Sequence, residues 1–363
     1  MLKLASYRLR SKVVFGIVLL LLLLLPLPSL ALAQKWIYIA MQVGIASISL
    51  LSFQWLMGRM GLLSFGHAVY TGLGSYATLY ALQAVVQWPA LAIIPVFVWP
   101  LFSALMVAGV AALIAYPSTL KTGLVFAMLS LTLSELIHII APAWPAFFGG
   151  ESGISANRVY GNGFLGFNFG PQYQLYYVVL FYTLLAFYSL AYFNKAPIGI
   201  AMSAVKANPT RAEALGWNAH KVRQIAFVIA GFWAGAAGGL QALLLEFVSI
   251  EALSSYQSGQ ILLFALLGGV NSVWGALTGA LLWVMANSYL SHITAAWLFY
   301  LGILFMWVVL YQPAGLSAWL SSIKREDLNK TQVKKIIVNI VLIVIFIMTT
   351  EYLYFQISKG IDG

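Results

Sequence analysis

Apolar runs of about twenty residues, separated by short polar clusters, repeat along almost the whole chain. A bilayer crossing takes ~20 mostly apolar residues. The pattern therefore predicts crossings near 13–33, 36–57, 61–83, 91–116, 122–141, 173–193, 225–247, 258–270, 274–291, 295–311 and 335–354. Two of these depart from a plain span. The 258–270 piece is too short to cross alone and reads as a half-helix joined to the next segment. The 61–83 piece is dense in glycine and reads as broken or re-entrant, which is tolerated only against protein or a water-filled cavity. The expected fold is all-α, a polytopic transmembrane helical bundle of about ten to eleven crossings.

Composition supports this reading. The chain is 62% hydrophobic and only 8% charged, whereas soluble domains carry about a quarter charged residues. A water-facing surface could not be built from it. There is no cysteine, which excludes disulfides, thiolate metal sites and cysteine nucleophiles. The net charge of +10 would suggest nucleic acid in a soluble protein. Here the distribution of that charge matters more, because Lys and Arg accumulate in cytoplasmic loops, so no nucleic-acid partner is expected. With the N-terminus in the cytoplasm, all of the 19 basic residues except Lys35, Arg158 and Lys359 fall inside. If 258–291 made one passage rather than two, the basic 324–335 loop would face the wrong side. The Leu19–Leu25 run and the Ala31–Gln34 sequence also resemble a cleaved signal peptide, but a retained first crossing is expected. Three regions result: 1–34 as a basic segment with the first crossing, 35–320 as the core, and 321–363 as a cytoplasmic linker with an additional crossing.

The polar stretch 206–224 is the clearest non-membrane element. Asn208 can cap a helix whose first residue is Pro209; alternatively Thr210 caps it and Glu213 closes a capping box three residues later. Either way a helix of about two turns follows, and Gly216 is placed to end it. Asn218 can then cap a second helix, with Lys221 and Arg223 marking the lipid boundary. On spacing alone this is also how an ordinary capped connector looks.

Small and polar residues at membrane depth come next. Gly231, Gly235 and Gly239 repeat every four residues, as do Gly275 and Gly279, and such spacing lets helices pack closely. Glu135 lies inside an apolar crossing that begins its polar run at Ser130, and Thr132, Glu135 and His138 share one face. An ionisable side chain facing lipid costs at least ~2.5 kcal/mol, so Glu135 is expected to face the bundle interior. His67 sits among glycines, with Ser64 three residues before it. Ser64, His67, Ser130 and Glu135 thus form a candidate translocation path, or a hydrogen-bond network holding helices beside one. The four histidines show no metal-ligand spacing. No phosphate-binding loop of the G-x-x-x-x-G-K-[ST] type, nucleophile elbow or zincin helix occurs, so neither ATP hydrolysis nor covalent catalysis is expected of this chain. The outer loop 142–172, with Glu151, Arg158 and Asn162, reads as a solvated loop or as a receiver for a solute-binding protein.

Arg211-Ala-Glu-Ala-Leu-Gly216, about ten residues before the glycine-rich Ala226–Gly239 segment, resembles the EAA loop of permease subunits of bacterial ATP-binding cassette importers. Gly61–His67, Gly149–Ile154, Pro197–Gly199, Leu267–Gly275 and Gln312–Leu316 match in order the branched-chain amino acid permeases of the LivM type. The resemblance spans about 35–320. It implies the importer permease fold, a second homologous permease subunit, two ATPase subunits that bind the ATP, a periplasmic or lipid-anchored solute-binding protein, and a place in the bacterial inner membrane. It further implies that Arg211, Ala212, Glu213, Ala214 and Gly216 couple the bundle to the ATPases, with no cofactor in the permease itself. The sparse fixed charge suits a neutral or zwitterionic solute. By resemblance that is a branched-chain amino acid, with urea or short amides as the neighbouring possibility. Two rival readings are a self-sufficient secondary transporter using Glu135 and a membrane scaffold that moves nothing.

Overall fold

The computed structural model describes residues 33–160, 169–294, 296–312 and 314–318. The expected crossings at 13–33 and 335–354, and the linker between 321 and 334, fall almost wholly outside these residues. The described chain is helical nearly throughout: α1 (Ala33–Gln54), α2 (His67–Gln87), α3 (Trp99–Ser118), α4 (Leu124–Ala143), the short α5 (Pro145–Phe148), α6 (Gln172–Phe193), α7 (Pro197–Ala207), α8 (Pro209–Ala214), α9 (Ala219–Leu245), α10 (Ser255–Gly268), α11 (Val273–Met285), the short α12 (Ser291–Ile293) and α13 (Trp297–Tyr311). Among the described residues, six helical segments are long and apolar enough to cross a membrane: Gln34–Met60, Val96–Ser118, Leu124–Ala143, Gln172–Phe193, Ala219–Leu245 and Val273–Leu290.

The differences from the expected crossings have local causes. The segment expected at 61–83 starts its helix only at His67, because Gly61 at φ 71° ends a wide π-type turn (Trp55–Met60) and residues 61–64 are not helical. The segment expected at 91–116 begins its regular helix at Trp99. Pro89 and Pro95 confine the preceding residues to short 3₁₀ turns. The pair expected at 258–291 is two helices, α10 and α11, joined through Gly269 at φ 107°. The crossing expected at 295–311 is the fifteen-residue α13, shorter than a full span needs.

The chain divides into two compact units, one ending at Leu262 and the other beginning at Leu263. In the first, α9 is the hub, packed against α3, α2 and α1, while α1 also packs on α6. Lipid tails are as apolar as leucine, so helices associate in a bilayer by close fit rather than by hydrophobic drive. The α9 sequence supplies that fit. A Cβ on Gly231 would lie 2.5 Å from the Ala111 Cβ, one on Gly235 would lie 2.6 Å from the Val107 Cβ, and one on Gly239 would strike the Ser103 hydroxyl, all on α3. On another side of α9, a Cβ on Gly238 would run into the Thr71 carbonyl of α2, and one on Gly74 of α2 into the Gly235 carbonyl. By contrast α3 and α4 leave Leu105, Leu113, Leu124 and Ile139 exposed, the dress of a lipid-facing surface.

In the second unit the same device closes the α10–α11 turn. A Cβ on Gly268 would meet the Gly275 carbonyl and, at 2.8 Å, the Gly279 amide; one on Gly275 would meet the Gly269 carbonyl. Phe264 and Trp283 stack with ring centroids 5.6 Å apart.

One element escaped the pattern of apolar runs. Ile154–Ser155 (β1) pairs antiparallel with Phe247–Val248 (β2), Ile154 opposite Val248. It fastens the loop after α5 to the end of α9.

Candidate functional site

Two places in the first unit carry chemistry beyond packing, and one lysine joins them. The first is the capped segment between α7 and α9. The Asn208 side chain accepts from the Arg211 amide at 3.0 Å, so Asn208 rather than Thr210 is the cap. Pro209 follows as the first helical residue, where its missing N–H costs nothing. At the other end the Gly216 amide donates to the Glu213 carbonyl at 2.9 Å and the Trp217 amide to the Ala212 carbonyl at 3.0 Å. With Gly216 at φ 91°, this is the paired-bond helix stop that favours glycine. Asn218 then caps α9 through the Lys221 amide, also at 3.0 Å. Only Ala212 of α8 is buried; Arg211, Glu213 and Ala214 are exposed. So are the apolar side chains of Leu215 (72%) and Trp217 (38%). α8 is thus capped at both ends, and apolar side chains stand uncovered at its C-terminal end.

The second place is the break between the π-type turn and α2. Ser64 and His67 are buried. The Phe65 amide donates to the Ser130 hydroxyl of α4 at 3.0 Å, and the Ala68 amide to the Ser258 hydroxyl of α10 at 3.0 Å. Gly66 is fitted against α4: a Cβ there would sit 2.5 Å from the Ser130 carbonyl and 3.3 Å from the Ser134 Cβ. Ser52 of α1 gives its proton to the Ser49 carbonyl at 2.7 Å, so at its 2.7 Å contact with His67 it accepts from Nε2–H. His67 also meets Phe53 and Tyr70 edge-on. It therefore ties α1 to α2. The hydroxyls of Ser64 and Ser134 are buried with no hydrogen-bond partner among the described residues.

The sequence placed Thr132, Glu135 and His138 on one inward face. The structure turns α4 differently: Ala127, Ser130, Ser134 and Ala141 are buried, Thr132 is exposed, and Glu135 and His138 are half-buried. Apart from Phe126, which is also buried, the buried face is that of the small residues, which admit the neighbouring chain. Glu135 thus stands at the flank of the buried seam, one residue from Ser134.

Lys206, at the end of α7, joins the two places. Its ammonium donates to the Gly58 carbonyl in the π-type turn at 2.7 Å, and its aliphatic stem lies over Gly61. In the sequence Lys206 is one of several basic residues around this segment, with nothing local to single it out. Ser52 and Ser258 give no signal either, since a serine in an apolar run looks like any other small residue, and Ser134 stands out only as the neighbour of Glu135.

At the C-terminal end of α9, Arg158 organises the loop after α5. Its guanidinium donates to the carbonyls of Phe169 at 2.9 Å, Leu243 at 2.9 Å and Gly170 at 3.1 Å. Its amide and its NH1 both approach the Glu246 carboxylate, at 3.2 Å and 3.5 Å. Glu246 takes a left-handed backbone, φ 55°, at the end of α9. Among the described residues no group of His, Asp and Glu is arranged to hold a metal ion.

Residues 35–311 match the family model described as branched-chain amino acid transport system / permease component. The chain is 25% identical over 318 residues to the high-affinity branched-chain amino acid transport system permease protein LivM of Escherichia coli, covering 79% of this chain and 73% of that protein. The LivM protein of Salmonella typhimurium is 25% identical over 283 residues, 72% of this chain and 64% of its own length. Over a shorter stretch of 117 residues, 32% of this chain and 36% of the relative, it is 34% identical to the guanosine ABC transporter permease protein NupQ of Bacillus subtilis. No solved structure matches.

Proposed function

The chain belongs to the family of branched-chain amino acid transport system permease components, and from that premise we propose that it is the membrane-spanning permease subunit of an ATP-driven importer of branched-chain amino acids. Its relatives are named as transport permeases and not as catalysts, so it acts as a conduit whose energy comes from elsewhere. Separate ATPase subunits would bind the ATP, a second related permease would complete the pathway, and an external binding protein would deliver solute. The bundle would lie in the bacterial inner membrane with its N-terminus and α8 on the cytoplasmic side. Most of its basic residues would then be inside.

The observation that carries this reading is the Asn208–Gly216 segment. It is stiffened at both ends, it leaves Leu215 and Trp217 uncovered, and through Lys206 it is bonded to the break before α2. In this reading Arg211, Ala212, Glu213, Ala214 and Gly216 form the seat for an ATPase. Closure of the ATPases would move that seat, and Lys206 would carry the movement to Gly58 and the 61–66 segment. Ser64, His67, Ser130 and Glu135 line or brace the path. The close glycine seams of α9 with α2 and α3 supply smooth surfaces on which helices can rock.

Co-purification and uptake test the proposal together. Leu215→Asp with Trp217→Asp in the whole transporter is expected to abolish recovery of the ATPases with the permease, and uptake with it. Full recovery and full uptake would refute the seat. The similarity to NupQ favours a second reading of the solute, a nucleoside. Competition of leucine uptake by excess leucine against excess guanosine decides between the two.

A further inference from the structure

The break before α2 leaves polar groups unsatisfied where an apolar bundle can least tolerate them. α2 is a 21-residue helix whose N-cap residue, Gly66, has no side chain to satisfy its first amides, and no acidic residue stands in its first turn. The Ala68 amide is taken by Ser258 and the Val69 amide by the Gly66 carbonyl. The Gly66 and His67 amides have no partner among the described residues. Around this positive helix end lie the two buried, unpartnered hydroxyls of Ser64 and Ser134. Ser64 precedes the N-cap by two residues, and the Ser134 Cβ stands 3.3 Å from where a Gly66 Cβ would be. Glu135 is set about 100° further round α4, off the buried seam that meets Gly66.

A helix N-terminus concentrates roughly half a positive charge on its free amides and is a ready anion site. Interrupted membrane helices place such ends toward the anionic groups of substrates. Hydroxyls complement them, since each can donate one hydrogen bond to an oxygen. Among the described residues, the neighbouring His67 ring is bonded to Ser52 and the Lys206 ammonium to Gly58. We propose that the N-terminus of α2, with the hydroxyls of Ser64 and Ser134, is a carboxylate-binding subsite on the solute path. The occupant is the α-carboxylate of an amino acid. This rests on the importer reading above, and it adds the chemical group recognised and the place of recognition.

The absence of native cysteine makes the test direct. Ser134→Cys and Ser64→Cys, each the sole thiol of this chain, are placed in the whole transporter in membrane vesicles, with any cysteines of the partner subunits removed. Each is reacted with an anionic and a cationic methanethiosulfonate of similar size, with and without ATP. The expected result is reaction in at least one nucleotide state. Relative to their rates with a free thiol in solution, the anionic reagent should be favoured by roughly two- to fivefold, the range a helix-end charge gives. Protection should come from L-leucine but not from leucinamide or inorganic phosphate. Equal protection by leucine and leucinamide would overturn the carboxylate while leaving the solute path in place. Protection by phosphate alone would show a general anion site, and protection by guanosine alone a nucleoside path; either overturns the proposal. Failure of both positions to react in every state would mean that the break holds only trapped water. That would again overturn the subsite, while the co-purification test of α8 would stand or fall separately. Should neither cysteine variant assemble, Ser134→Ala is read by uptake. A several-fold higher KM for leucine at unchanged maximal rate supports the subsite, and an unchanged KM overturns it.

Discussion

The Lys206 ammonium donates to the Gly58 carbonyl across 2.7 Å, bridging positions 148 apart in the chain. Lys206 closes α7 two residues before the Asn208 cap, and Gly58 lies in the turn that ends at Gly61. The bond therefore ties the end of α7, just before the capped α8, to the π-type turn that precedes the break before α2. On the proposed coupling role, a displacement of α8 would have a short, polar route toward the break before α2.

Lys206→Met keeps the stem over Gly61 and removes the donor. A hydrogen bond from a charged group contributes about 1.5–3 kcal/mol when well shielded, and less for an exposed lysine. Maximal uptake is expected to fall roughly fivefold, with recovery of the ATPases unchanged. Lys206→Arg should restore most of the rate. Wild-type uptake in the Met variant would remove Lys206 from the transmission.

Gly216→Pro attacks the stop of α8 twice. Proline fixes φ near −65° where the chain needs 91°, and it deletes the amide that reaches the Glu213 carbonyl. Backbone strain of this kind costs about 1–3 kcal/mol, which a bundle held by α9 should survive. Normal expression with ATP hydrolysis uncoupled from uptake is expected. Retained uptake would refute the role assigned to the segment.

The glycine seams give a stability series with an internal control. Gly238→Ala drives a methyl into the Thr71 carbonyl and Gly235→Ala one to within 2.6 Å of the Val107 Cβ, whereas Gly109 has open space around it. Overpacking costs typically about 1–3 kcal/mol. In detergent, the thermal midpoint of Gly238→Ala and Gly235→Ala should drop by several degrees, and that of Gly109→Ala should not. Equal midpoints for all three would show that the seams yield.

Some of this architecture was legible and some was not, for reasons visible at single residues. The capped segment could be read because Asn208, Pro209, Gly216 and Asn218 act locally: a side-chain oxygen, a fixed φ and a positive φ are each set within a few residues. The glycine density of 61–83 marked a break, but not its position, which depends on Gly61 adopting φ 71° and on Phe65 finding Ser130. The facing of α4 is not legible in the sequence because lipid and protein interior are equally apolar, so hydrophobic periodicity carries no information there. Small residues such as Ala127, Ser130 and Ser134 mark the buried seam instead. The Arg158–Glu246 pair joins residues 88 apart and left no trace in the pattern. Neither did the β1–β2 pairing beside it.

That pair supports the last prediction. Glu246 holds φ 55°, which costs an ordinary L-residue about 1–2 kcal/mol and glycine nothing. Its carboxylate also accepts from the Arg158 amide and faces the Arg158 guanidinium. Glu246→Ala keeps the strain and loses the acceptor; Glu246→Gly loses the acceptor but relieves the strain. The alanine variant should therefore be the less stable of the two by about 1 kcal/mol, read as a lower midpoint of thermal unfolding in detergent. Arg158→Met should be worse than either, because three carbonyls lose their donor at once and each unpaired buried acceptor costs about 1–3 kcal/mol. An Arg158→Met protein as stable as wild type would mean that water replaces the guanidinium without loss. The clasp around α9 would then hold through the two-residue strand pair and the backbone amides of Ala156 and residue 158 bonded to Glu246.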